Sequence, residues 1–331
     1  MKKLDFPYPF AAFMELDFIN CFACVYNYLE GKQEGEGGPF FLFDTMCGRS
    51  SIRFTFDGKP NVMQKWIGDV EDGSHASTDD TVNFLFGFAG YHYRICTDTD
   101  AYKDEITASI NAGKPVIAKV KTGRGRFRVI IGYDGKKLLE ASYESICHDR
   151  PKKAVKYGDI EALYIVGDKI QPRYTLLDGL RRIRQVMEYN AAHKPRGSYI
   201  ENLDMGALEK VDLKEKQARM KRLAWTMWHM ETYSFAEGLG SHIFDELQNP
   251  AFQELRKQIR DICYGICNYN WALIGLAECA NWDHHAYKDG EIGLVVKLSL
   301  EKMQKDEEEL LDLIKQAIAI LEQGATPNHE A

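Results

Sequence analysis

From about Tyr174 the chain reads as helix almost to its end. The segments LLDGLRRIRQVMEYN, Leu213 to Glu237, FQELRKQIRDICYGICNYNWALIGLAECA and GLVVKLSLEKMQKDEEELLDLIKQAIAILEQ repeat apolar residues at three- and four-residue spacing, the period of a one-sided α-helix. The preceding half mixes short strand-like runs with helices and carries most of the glycine turns. A helical period cannot be laid into a sheet, so each half must build its own kind of core. The division predicts an α/β or α+β domain over residues 1–170 and a helical domain over 171–331. Length agrees, since 331 residues make two domains at roughly 150 residues each.

Composition narrows the classes further. With 45% hydrophobic and 12% aromatic residues the chain is too apolar for intrinsic disorder. With 49 acidic against 42 basic residues, a net charge of −7, it lacks the basic surplus of a nucleic-acid binder. The longest apolar run, Trp271 to Ala277, stops at Glu278, well short of the roughly 18 residues of a membrane span. The opening MKKLDFPYPF is interrupted by Asp5, Pro7 and Pro9 and does not form the apolar core of a signal peptide. A cytoplasmic protein that binds neither nucleic acid nor membrane is therefore expected. Eight cysteines spread through so long a chain are expected to be mostly reduced, buried thiols rather than a disulfide scaffold.

Within the first domain, NCFACVYNYLEG places Phe22, Val25, Tyr26 and Leu29 on one helical face, with Asn20 as an N-cap and Gly31 as a stop. Cys21 then falls in the first turn, where the helix macrodipole favours thiolate and lowers the pKa. This makes Cys21 the best nucleophile candidate; the competing reading is a small buried hydrophobe. Cys24, one turn later, reads as packing. Tyr102, Ile106 and Ile110 mark a short helix that ends at NAGKP. The runs PVIAKV, RFRVIIGYD and KKLLEAS read as three strands, the last two joined by the Asp134-Gly135 turn, and EALYIVGD as a fourth.

The order of these segments resembles the bacterial papain-like superfamily, which includes bacteriocin-processing peptidases. It is most similar to the N-terminal domain of the butirosin-biosynthesis acyltransferase family, whose members move an acyl group from a carrier-protein thioester to an amine. The motifs that carry the resemblance are NCFACVYNYL, GPFFLFDTMCGRSSIRF, GKPVIAKV and RFRVIIGYDGKKLLEA, and it spans roughly residues 15–170. It implies an α+β, papain-like domain with an antiparallel sheet and a nucleophile-bearing helix, followed by an all-helical domain.

Cys21 matches the family's nucleophile. The family's histidine stands six positions before the glycine of the Gly-Tyr-Asp turn; counting back from Gly132 reaches Arg126. The orienting carboxylate or amide matches Glu140, with Ser142 as a neighbour. Arginine can stabilise a thiolate but does not release its proton at working pH, so it cannot protonate a leaving amine. A thiolate leaving group needs little protonation. The replacement therefore weighs against a peptidase more than against an acyl transferase. His148, after the Glu140 strand, is held in reserve as a proton shuttle ahead of His75 and His92. Glu15 and Asn20 precede the nucleophile, where papain-like folds place an oxyanion-binding amide.

No cofactor or metal is expected. His229, Glu231, His242 and the Asp283-His284-His285 run lack the i, i+3 or i+4 spacing of helical metal sites. Cys263 and Cys267 read as core. The stretch GKQEGEGGPF has neither a following Lys-Ser/Thr nor a preceding strand and is not a phosphate loop. Three functions follow. The first is cysteine-dependent acyl transfer or amide-bond formation in specialised-metabolite biosynthesis, with an acyl carrier protein or small amine as partner. The second is a non-catalytic papain-fold binding protein, and the third a cysteine peptidase or amidase.

Overall fold

A computed structural model describes residues 1–6, 17–32, 38–56, 68–71, 74–77, 79–121, 127–135, 137–141, 155–229, 232–243, 250–282 and 291–324. The architecture is mixed, with an antiparallel sheet and helices in the first half and helices throughout the second. The chain forms two compact units: Met1–Phe43 with Trp66–Thr175, and Asp44–Lys65 with Leu176–Ala331.

The first unit contains β1 (Lys2–Lys3), α1 (Phe18–Glu30), the start of α2 (Gly38–Met46), β2 (Gly68–Glu71), β3 (Ser74–Ser77), α3 (Asp79–Ala89), β4 (Tyr91–Cys96), α4 (Tyr102–Asn111), β5 (Val116–Val120), β6 (Phe127–Asp134), β7 (Lys137–Glu140) and β8 (Ile160–Lys169). Six of the strands form one sheet in the order β1-β6-β5-β8-β4, with β7 also paired to β6, and every pairing is antiparallel. The four strands read from sequence are β5 to β8. β4 was not foreseen, although Tyr91 to Ile95 alternate apolar and polar residues; its burial departs from that pattern, with Tyr91 and Cys96 inside and His92, Arg94 and Ile95 outside. A register shift between Tyr91 and Tyr93 accompanies the departure.

In the central strand β5, Val116, Ile117 and Ala118 are all fully buried, so both faces of the sheet are covered there. α1 packs on β5 and β6. Its first residue, Phe18, meets Phe127 of β6 edge-on at 5.5 Å and Tyr164 of β8 at 5.0 Å, while Phe22 contacts Phe86 of α3 at 4.9 Å. Gly132 lies against the backbone of β1, where any Cβ would collide with Lys2 and Lys3. Glycine in the IIGYDG run is thus required by strand pairing.

The second unit contains α5 (Leu176–His193), α6 (Pro195–Leu203), α7 (Met205–Glu209), α8 (Leu213–His229), α9 (Thr232–Phe235), a π-helical stretch (Ala236–Ile243), α10 (Gln253–Trp282) and α11 (Glu291–Gly324). The single helix predicted through Leu213–Glu237 is instead α8, α9 and the beginning of the π-helical stretch. Contacts from α10 hold the wider turn: Arg260 donates to the Gly240 carbonyl at 3.0 Å, and Ser241 Oγ and Tyr264 Oη lie 2.7 Å apart. Asp44–Lys65 groups with these helices through sequence-distant contacts. Thr45 Oγ1 donates to the Ser234 carbonyl at 3.2 Å, and Phe56 packs edge-on against Tyr199 at 5.4 Å.

Among the described residues no helix is long and apolar enough to cross a membrane. No group of three His, Cys, Asp or Glu side chains among them is placed to hold a metal ion; His284 and His285 lie outside the described residues. Seven cysteines are described and none is in a disulfide; six are buried and Cys279 is exposed.

Candidate functional site

Asp17 opens α1. Its backbone is extended, and its Oδ1 accepts from the Asn20 backbone N–H at 2.7 Å, the geometry of an N-cap. The cap expected at Asn20 is therefore three residues earlier. Asn20 sits inside the first turn, fully buried, and supplies the amide that is capped. Gly31 ends the helix in the left-handed region at φ 61°, as its position predicts.

The earlier start changes what surrounds Cys21. Cys21 is now the fourth residue of the helix, with its N–H bonded to the Asp17 carbonyl at 3.2 Å. The macrodipole acts mainly within the first turn, and the thiol is 0% exposed. Burial pushes it well above the ordinary thiol value; Cys24, Asp17 and Glu140 push the same way, and Arg128 pulls it down. The expectation of a thiol acidified by the helix start is corrected accordingly, because desolvation of the charged form outweighs the dipole. Burial likewise raises Cys24, with Asp17 adding to the effect.

The sheet presents a cation and a carboxylate to this helix. Arg128 is on β6 and Glu140 ends β7, directly opposite Ile130 in the register. Arg128 Nε lies 3.5 Å from Glu140 Oε2, and its Nη1 donates to the Phe127 carbonyl at 2.7 Å. The other oxygen of Glu140, Oε1, accepts from the Val155 backbone N–H at 2.8 Å. Both side chains are partly buried, and both lie within Coulombic reach of Cys21.

Cys21, Arg128 and Glu140 are thus brought into one electrostatic cluster, with Asp17 as its fourth member. Arg126, His148, Glu15 and Ser142 lie outside the described residues. His92 is exposed on β4, and His75 belongs to β3. Arg128 was missed because the count back from Gly132 fixes one residue, Arg126, which lies outside the described residues.

Chemically, the cluster holds a neutral thiol at rest. Among the described residues the Arg128 guanidinium favours thiolate and the Asp17 and Glu140 carboxylates oppose it, and a guanidinium can orient charge but not exchange a proton. No protein-family model matches the chain, and no curated protein is similar to it.

Proposed function

We propose that the first unit is a papain-like domain that uses Cys21 to transfer an acyl group from a thioester to an amine, with an acyl carrier protein or a small thioester as donor, in specialised-metabolite biosynthesis. The observation that carries this reading is the placement of Cys21, near the start of a helix packed on an antiparallel sheet, beside the Arg128–Glu140 pair on adjacent strands. A cysteine, a cation and a carboxylate on these elements support the reading, with Arg128 taking the charge-stabilising part that the resemblance assigns to a histidine at position 126.

The reaction suits such a site. The Cys21 sulfur attacks the thioester carbonyl, the carbon–sulfur bond to the donor breaks, and the thiol proton leaves with the donor thiolate. An amine then attacks the Cys21 acyl thioester, and its surplus proton returns to the cysteine sulfur. Arg128 stabilises negative charge as it develops on sulfur, and Glu140 holds Arg128 in place. Neither step needs a protonated amine leaving group, the requirement that a peptidase would impose.

The complete burial of Cys21 and its raised thiol favour a second reading, a non-catalytic domain that binds an acylated carrier or an amine. Incubation of the full chain with a short acyl thioester and a panel of amines separates the two. Amide product lost in Cys21→Ala supports transfer. Absence of product from the wild type, with ligand binding unchanged in Cys21→Ala, supports the binding protein.

A further inference from the structure

A cavity in the second unit is lined by Ser51 and Arg53 from the segment after α2, Asn190 of α5, and Arg196 at the start of α6, with Glu307 of α11 among them. Arg53 and Arg196 are 2% and 1% exposed, and both are paired to the same carboxylate. Arg196 meets Glu307 through two bonds, Nε to Oε2 at 3.0 Å and Nη2 to Oε1 at 2.7 Å, while Arg53 Nε donates to Oε1 at 2.6 Å. Two buried guanidiniums thus share one anion. Glu307 is ionised in this setting, since Arg196 and Arg53 overcome its burial and hold the carboxyl at about 2.

Three polar atoms of residues that line the cavity carry the argument. Arg196 Nη1, Ser51 Oγ and Asn190 Oδ1 are each buried with no hydrogen-bond partner among the described residues. The first two are donors, and the third accepts; the Asn190 orientation is fixed by its Nδ2, which donates to the Ser51 carbonyl at 2.7 Å. Such groups are rare in folded proteins, and each left unmet is destabilising. Their convergence on one cavity is what a ligand site looks like before it is filled.

The lip of the cavity carries Lys194, which caps α6 at φ 42° and ψ 56° and is the one non-glycine residue with positive φ among the described residues. Non-glycine residues held in this region are strained and concentrate at functional sites. Lys194 Nζ lies 3.9 Å from Glu308 at the surface, and Glu308 also lines the cavity. The N-terminus of α6, a nine-residue helix, adds its positive dipole end.

We propose that this cavity binds a small oxyanion, a carboxylate or phosphate group, held by Arg196 Nη1 and Ser51 Oγ, with Asn190 Oδ1 accepting from a protonated oxygen or amine of the same ligand. The site involves no residue of the Cys21 cluster and stands whether or not that cluster is catalytic.

The test is thermal unfolding of the full chain in sodium phosphate and, separately, sodium acetate, each compared with sodium chloride at the same ionic strength. A ligand that binds only the folded state raises Tm in a saturable way. The expected result is such a rise with at least one of the two oxyanions, and the arm that responds identifies phosphate or carboxylate. Ser51→Ala, a small change at a buried hydroxyl, should weaken the apparent affinity about fivefold or more. Asn190→Asp, which puts a like charge beside the ligand, should abolish the response. If both oxyanions act as chloride does, or if both variants respond like the wild type, the cavity holds only water and the proposal is overturned.

Discussion

At Cys21, burial and local charge set the chemistry more than position along the helix. The carboxylates of Asp17 and Glu140 raise the thiol and Arg128 lowers it, so each can be altered with a known sign. Asp17→Asn keeps an N-cap side chain while removing one negative charge, and should shift the pH profile of Cys21 alkylation to lower pH. Arg128→Gln should shift the same profile upward; a superimposable profile would show that Arg128 does not act on the thiol. Of the residues in this cluster, Cys21 was a candidate from its helix and Glu140 from the family resemblance. Arg128 was not, because the count back from Gly132 stops at Arg126, outside the described residues. The cap was misplaced because Asp17 and Asn20 are both good capping residues, and the one chosen depends on where the chain enters the core.

Among the elements, α1 depends on its first residue for its seat on the sheet. Phe18 is fully buried among Phe22, Phe86, Phe127 and Tyr164, and Phe18→Ala should cost about 3–5 kcal/mol in denaturant unfolding. At the other end, Gly31 has open space around it, so Gly31→Ala tests backbone strain alone. About 1 kcal/mol of destabilisation is expected from the left-handed conformation, and no loss would mean that the helix ends differently. The well-patterned elements were readable: α1, α4, β5 to β8, α5, α10 and α11 all follow the apolar periods of the chain. β4 and the break after α8 were not. β4 alternates only over the five residues Tyr91 to Ile95, and the π-helical stretch is held by bonds from Arg260 and Tyr264, more than fifteen residues away in sequence.

Across the whole molecule, the grouping of Asp44–Lys65 with the C-terminal helices was invisible to periodicity, since it rests on single long-range contacts. The most buried of these is the ionic cluster of Arg53 and Arg196 on Glu307. The native carboxyl of Glu307 is held at about 2 against an ordinary 4.5. Its stabilising contribution is therefore complete above the unfolded value and fades as pH falls from about 4.5 toward 2. Glu307→Gln should remove this part of the acid dependence and cost about 3–5 kcal/mol at neutral pH, because two guanidiniums stay buried without their carboxylate. Urea unfolding of wild type and variant at several pH values measures both effects; equal stability at pH 7 would mean that the guanidiniums find other partners. Acyl transfer requires that Cys21 accept an acyl group, which is measured by incubating the chain with an acyl thioester and no amine and locating the mass increase by peptide mapping. One acyl group on Cys21 is expected, absent from Cys21→Ala and released by an added amine; a folded wild type whose Cys21 stays unmodified, or an adduct that forms equally well in Cys21→Ala, would rule the transfer out.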